Sequence, residues 1–292
     1  MKKTLLTLAL ATMAAHAQAA TWTLGDTSTS GSRFSVAALT DTVGSLGSAN
    51  QFLSGNIGSY INETTIDSVT VGSWDASTVT LGGNSIDLGI SHEANVSIAG
   101  NVAIANLITS VSLDNATIAD TGLTLNYHGH APSRLTQNFI IAPELGEAMG
   151  DLVNINMDIW ATHSLDGNLI ADSLTFEQDF YSSYDLYLNG SVMDAGSFDA
   201  LGSVGVGEYW SFQAHIGDEI RLEMRSQSQI TGTALGLGGT PELFGGSEAF
   251  ASMTVTPVPE PESWAMLLMG LGLVGLRLRS KPKSFTQNKI SA

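Results

Sequence analysis

Four oxygen-bearing side chains, Asp151, Asn154, Asn156 and Asp158, fall within the stretch D-L-V-N-I-N-M-D. Calcium takes oxygen ligands, so this row is a weak candidate for a structural Ca²⁺ site, or for hydrogen bonds to sugar hydroxyls. It departs from the spacing of a helix-loop-helix calcium loop, and its alternation with Val153, Ile155 and Met157 also describes the wet face of a strand. His128-Gly129-His130 would set two imidazoles on one strand face, within reach of one metal. No third ligand follows by spacing, and the simpler expectation is an exposed loop after a Leu123–Tyr127 strand. Asp166-Gly167-Asn168, with Asp172, is expected to be a turn with acidic neighbours. Asp179-Phe180-Tyr181-Ser-Ser-Tyr184-Asp185-Leu-Tyr187 crowds aromatic rings against carboxylates, as a sugar-binding surface does and as cross-strand packing also does.

Catalytic signatures are absent from the sequence. There is no G-x-S-x-G, H-E-x-x-H or P-loop, and His92-Glu93 lacks a second histidine four residues on. Gly270-Leu-Gly272-Leu-Val-Gly275 matches G-x-G-x-x-G, but it lies inside a terminal apolar run instead of opening a helix after a strand. No catalytic or cofactor-binding residue is assigned, and calcium is the sole cofactor considered. The expectation is a non-catalytic protein, with a polysaccharide hydrolase on the same scaffold as the alternative. For such a hydrolase the required pair of carboxylates is defined in space and not by spacing.

These residues sit in a body that reads as strands. Period-2 alternation marks Val153–Ile159, Trp210–Ile216 and Ile220–Arg225, with shorter runs at Ile86–Ile90, Val96–Ile98 and Leu123–Tyr127. Turn residues fall at Gly82-Gly83-Asn84, Gly100-Asn101, Asn189-Gly190 and Gly217-Asp218. One buried and one wet face per strand favours antiparallel sheets packed face to face, an all-β sandwich or jelly roll over residues 20–256. The alternative is a partly parallel β-helix over residues 68–126. A short helix is expected over Pro143–Met149 and an irregular edge over residues 20–60.

Both ends of the chain differ from this body. Met1-Lys2-Lys3, the apolar run Thr4–Ala15 and Ala17-Gln18-Ala19 have the order of a secretory signal peptide, cut by signal peptidase after Ala19. At the other end, residues 257–292 hold Pro259-Glu260-Pro261, an apolar segment that reads as a short transmembrane helix over 264–278, and then Arg277, Arg279, Lys281 and Lys283. The apolar run is marginal for a hydrocarbon core about 30 Å thick. The basic cluster keeps this end cytoplasmic. The proline pair holds its triplet extended, in the form a protease can grip.

Pro259-Glu260-Pro261, the apolar segment and the arginines together resemble the PEP-CTERM sorting signal. The resemblance covers about the last 35 residues and implies transient insertion in the inner membrane and processing by exosortase. It also implies delivery to the cell surface or to an extracellular polysaccharide matrix.

Removal of both ends changes the charge. The chain has 11 Lys+Arg and 28 Asp+Glu. A cut before Glu260 leaves Arg33, Arg134, Arg221 and Arg225, no lysine and 26 acids, a net charge of −22. Such a surface repels polyanions, so nucleic acid is not an expected partner. The chain has no cysteine, which excludes disulfides and thiol chemistry.

Overall fold

The computed structural model describes residues 20–41, 49–57, 61–64, 68–81, 83–144, 147–199, 202–258 and 268–272. Its strands are β1 (Thr21–Asp41), β2 (Ala49–Ile57), β3 (Ile61–Thr64), β4 (Ser68–Leu81), β5 (Asn84–Ala99), β6 (Val102–Ala142), β7 (Leu152–Ile170), β8 (Ser173–Leu188), β9 (Ser191–Phe198), β10 (Gly202–His215) and β11 (Glu219–Pro257). All paired strands run antiparallel.

The ribbon of β6 and β11 is the spine. These two strands stay hydrogen-bonded from Glu219↔Ile140 to Thr254↔Val102. Near residues 118–123 of β6 and 235–243 of β11 their register shifts repeatedly, and the ribbon folds over. On one side of the fold lies a first layer in the order β2-β1-β6-β11-β8-β9. On the other lies a second layer, β10-β7-β11-β6-β5-β4-β3. Glycine makes the bend feasible: Gly236 has φ +66°, and a Cβ there would lie 2.2 Å from the Asp172 carboxylate. The β7–β8 connection crosses between layers at the same place, where the Asp172 amide donates to Leu235 O at 2.8 Å.

Inner faces of the two layers meet in two apolar clusters. One joins Trp22, Leu135, Phe139, Tyr184 and Leu222 to Val96, Leu107, Ile155, Met253 and Val255. The other joins Leu125, Tyr127, Phe180 and Ile230 to Ile86, Leu88, Val111 and Leu113. Each aliphatic side chain so buried contributes about 1.5–3 kcal/mol.

A polar waist separates the clusters. Thr109 Oγ1 lies 3.1 Å from Ser226 Oγ and 3.0 Å from Ser228 Oγ. Ser247 Oγ lies 3.0 Å from both Ser226 Oγ and Ser182 Oγ, and 2.9 Å from His163 Nδ1. All six residues are buried. Ser182, Ser226 and Ser228 come from the first layer and Thr109, Ser247 and His163 from the second, so the layers are joined by hydrogen bonds across the core. Burial is tolerable because the hydroxyls satisfy one another.

The all-β sandwich expected from the alternation is present, and three local expectations are corrected. Residues 68–126 are not a parallel β-helix: tight turns at Gly83 and Gly100–Asn101 join antiparallel neighbours, which a parallel coil cannot use. Pro143–Met149 shows no helix among its described residues. Backbone groups next to that stretch are taken by the β10–β11 turn, with Gly150 N donating to Ile216 O (2.9 Å) and Gly217 N to Ile141 O (2.8 Å). The amino-terminal region is an edge but a regular one: β1 is a long strand paired with β6 on one side and on the other with β2, which stands at the rim of the first layer.

Candidate functional site

Both ends of the β body emerge at one pole, opposite the fold of the ribbon. Trp22 N donates to Gly100 O (3.4 Å), and Thr21 Oγ1 donates to the same carbonyl (2.7 Å). At the other terminus, Val258 N donates to Leu152 O at 3.3 Å. Strand β11 ends at Pro257. Residues 268–272 are helical, and among the described residues no helix is long and apolar enough to cross a membrane. Ala17, Ala19, Pro259, Glu260, Pro261, Arg277 and Arg279 lie outside the described residues.

The Asp151–Asp158 row is spread out. Alternate strand positions are about 6.5 Å apart, so Asn154 and Asp158 cannot share one cation through side chains that both project from the sheet. The oxygens also have other partners. Asp151 Oδ2 accepts from Ala148 N (2.6 Å), Asn154 Oδ1 from Gln213 Nε2 (3.4 Å) and Asn156 Oδ1 from the Tyr209 hydroxyl (3.1 Å). Asn154 and Asn156 are tied across to β10, and Asp151 closes the turn before β7.

His128 and His130 belong to β6 and not to a loop. Their rings share the outer face of the first layer with centroids 6.4 Å apart. His128 Nδ1 lies 2.7 Å from Thr231 Oγ1, and its pKa is lowered by burial and then by His130. Asp166, Gly167 and Asn168 do not form a turn. They continue β7, paired with Phe244, Leu243 and Glu242, and the turn falls at Ala171–Asp172. An open apolar cleft of about 300 Å³ lies beside them, lined by Leu165, Leu169, Leu174, Phe176 and Leu243.

The aromatic run Asp179–Tyr187 is divided by the pleat of β8. Phe180 and Tyr184 enter the core, while Tyr181 and Tyr187 face outward. The Arg221 guanidinium sits 3.9 Å above the Tyr187 ring. Arg134 pairs with Glu223, Arg221 approaches the same carboxylate at 3.5 Å, and Arg225 lies 3.4 Å from Asp185. Arg134, Arg221 and Arg225 therefore occupy one outer face of an otherwise acidic body.

Two constellations are invisible in the residue spacing. The first is the polar waist, where burial lowers the pKa of His163 against the opposing effects of Phe198 O and Asp199. The second lies at the flank formed by β8, β9 and β10. The Tyr184 hydroxyl is 2.8 Å from Glu208 Oε2 and 3.4 Å from Asp194 Oδ2. Desolvation and both carboxylates push the phenol far above its ordinary value, so it stays protonated and donates to them.

The described body is a layered, antiparallel all-β fold. Residues 257–281 match the PEP-CTERM protein-sorting motif. This motif marks an exported protein sorted by exosortase to the cell surface, and it begins at the residue where β11 ends. No curated protein matches the chain. Among solved structures, the infectious bursal disease virus Gt strain is 11% identical over 90% of this chain and 88% of that chain, with a TM-score of 0.16. The GH31 α-xylosidase Xac1773 from Xanthomonas citri is 5% identical over 75% of this chain and 38% of that chain, also with a TM-score of 0.16. Neither likeness carries a fold or a function across.

Proposed function

We propose that the β body is a non-catalytic surface or matrix protein that associates with exopolysaccharide. Signal peptidase removes residues 1–19, the segment 264–278 holds the chain transiently in the inner membrane, and exosortase cuts beside Pro259-Glu260-Pro261. The supporting observation is the coincidence of the sorting motif with the end of β11 at Pro257. A cut just beyond that point takes nothing from the sandwich.

The test is the intact mass of the surface or secreted protein from cells with and without exosortase. A carboxy terminus near Pro259–Glu260 only in the presence of the enzyme supports sorting, and any excess mass identifies an attached group. A chain running to Ala292 in both strains rejects it. Retention of the processed protein on the producer's purified exopolysaccharide tests the matrix association separately.

A further inference from the structure

The outer face of the second layer carries an aromatic row that the sorting signal does not explain. Trp160 of β7 and Phe250 of β11 are register partners, with ring centroids 4.9 Å apart and planes inclined by 23°. Tyr209 on the edge strand β10 stands one step diagonally from Trp160. It is 66% exposed, and its hydroxyl donates to Asn156 Oδ1, on the side of Asp158 away from Trp160.

Gly207 is the residue directly opposite Trp160 on β10. A Cβ there would meet Ile159 O at 3.0 Å and Trp160 Cβ at 3.1 Å, so a larger residue would press on β7 at the base of the Trp160 side chain. On the far side of Phe250 the row continues into Asn106 and Asn95. Asn106 Nδ2 donates to Glu248 Oε1 at 2.9 Å, which holds a carboxylate beside the rings. Exposed Asp158 lies beside Tyr209.

Cross-strand aromatic pairing alone would stabilise a sheet. Here it builds a partly solvent-facing shelf with amides, hydroxyls and carboxylates at its margins. The line Trp160, Phe250, Asn106, Asn95 crosses successive strands about 4.8 Å apart, close to the length of one pyranose unit in an extended chain. Among the described residues this face has no arginine or lysine. Its charged groups include Asp158, Glu248 and Glu93, whereas Arg134, Arg221 and Arg225 lie on the opposite outer face. A uronate or sulfated polymer would meet like charge here and an uncharged one would not.

We propose that this face binds an uncharged glycan chain laid across the strands, with sugar rings seated over the outer edges of the Trp160–Phe250 stack and against the exposed Tyr209 ring, and hydroxyls bonded by Asn156, Asp158 and Glu248. The assignment rests on the matrix association proposed above and gives that association its surface.

The test is affinity electrophoresis of the processed protein in gels containing the producer's purified exopolysaccharide, native or with its carboxyl groups chemically reduced. Wild type is expected to be retarded in both gels. Tyr209→Ser and Trp160→Phe are each expected to bind at least tenfold more weakly, and Tyr187→Ser, on the opposite face, to bind as wild type. An unchanged thermal midpoint for exposed Tyr209→Ser separates lost binding from lost folding. Retention of both shelf variants at wild-type strength overturns this face while leaving the matrix association standing. Loss of wild-type binding on carboxyl reduction overturns the uncharged ligand. No retardation of wild type in either gel overturns the matrix association and this assignment together.

Discussion

Trp22 and Val255, from opposite ends of the β body, donate to the same carbonyl. The Trp22 indole Nε1 is 3.0 Å from Asn101 O, and the Val255 amide is 2.9 Å from it. Asn101 returns a bond through its side chain, Nδ2 to Val255 O at 3.2 Å. The turn between β5 and β6 thereby clamps the first turn of sequence after the expected signal-peptidase site to the last stretch before the sorting motif. Trp22 is buried, with its ring edge-on to Phe139 at 6.0 Å. Trp22→Ala is expected to cost about 3–5 kcal/mol, read as a lower urea midpoint of the processed protein.

The polar waist gives a prediction in the acid range. The folded-state pKa of His163 lies below its ordinary value of 6.5, so below that pH the unfolded chain takes up a proton that the fold resists. Its contribution to stability is complete above pH 6.5 and is lost as the pH falls toward the folded value. His163→Gln should flatten this acid limb of urea midpoint against pH. His128, also shifted down, should give a second and separable component in His128→Gln.

Ser247 is the hub of the same waist. Ser247→Ala removes the common partner of Ser182, Ser226 and His163 and leaves buried polar groups under-bonded, at a cost of about 1–3 kcal/mol. Equilibrium unfolding measures this loss, and a neutral result would mean that the remaining hydroxyls re-pair.

Tyr184 controls the alkaline limb. Its phenol is raised well above 10.0 in the fold, so above that pH the unfolded chain releases a proton that the folded chain keeps. Stability from this group is therefore present below pH 10 and declines as the pH rises further. Tyr184→Phe should abolish the decline, as seen in thermal midpoints between neutral and strongly alkaline pH.

The bend depends on Gly236. A left-handed backbone costs an L-residue about 1–2 kcal/mol, and the Asp172 carboxylate leaves no room for a Cβ. Gly236→Ala should lower the thermal midpoint, and Asp172→Gly in the same chain should recover the steric part but not the backbone part.

The strands themselves are legible in the sequence because Val153–Ile159 and Ile220–Met224 keep strict alternation with one face dry. The folding of the ribbon is not. Along β11 the inward positions run Leu222, Met224, Ser226, Ser228, Ile230, and two hydroxyls in that series look like the end of a core face. Only pairing with Thr109 and Ser247 shows that they are interior. Asp166-Gly167-Asn168 has turn chemistry, yet β11 offers it a partner strand and it stays extended. The Trp160–Phe250 shelf depends on the long-range register of β7 with β11, which neither segment specifies alone. By contrast, the sorting segment is a contiguous string and can be read directly.

The position of β11 also governs how the body would bear load. This strand runs the length of the sandwich between β6 and its neighbours β8 and β7, and it leads directly into the sorting motif. A pull applied to the carboxy end of β11, along the strand, acts parallel to it. It loads the hydrogen bonds on both sides of the strand in shear, many at once, instead of peeling them one by one. A load applied at that end would thus be resisted by many backbone bonds together.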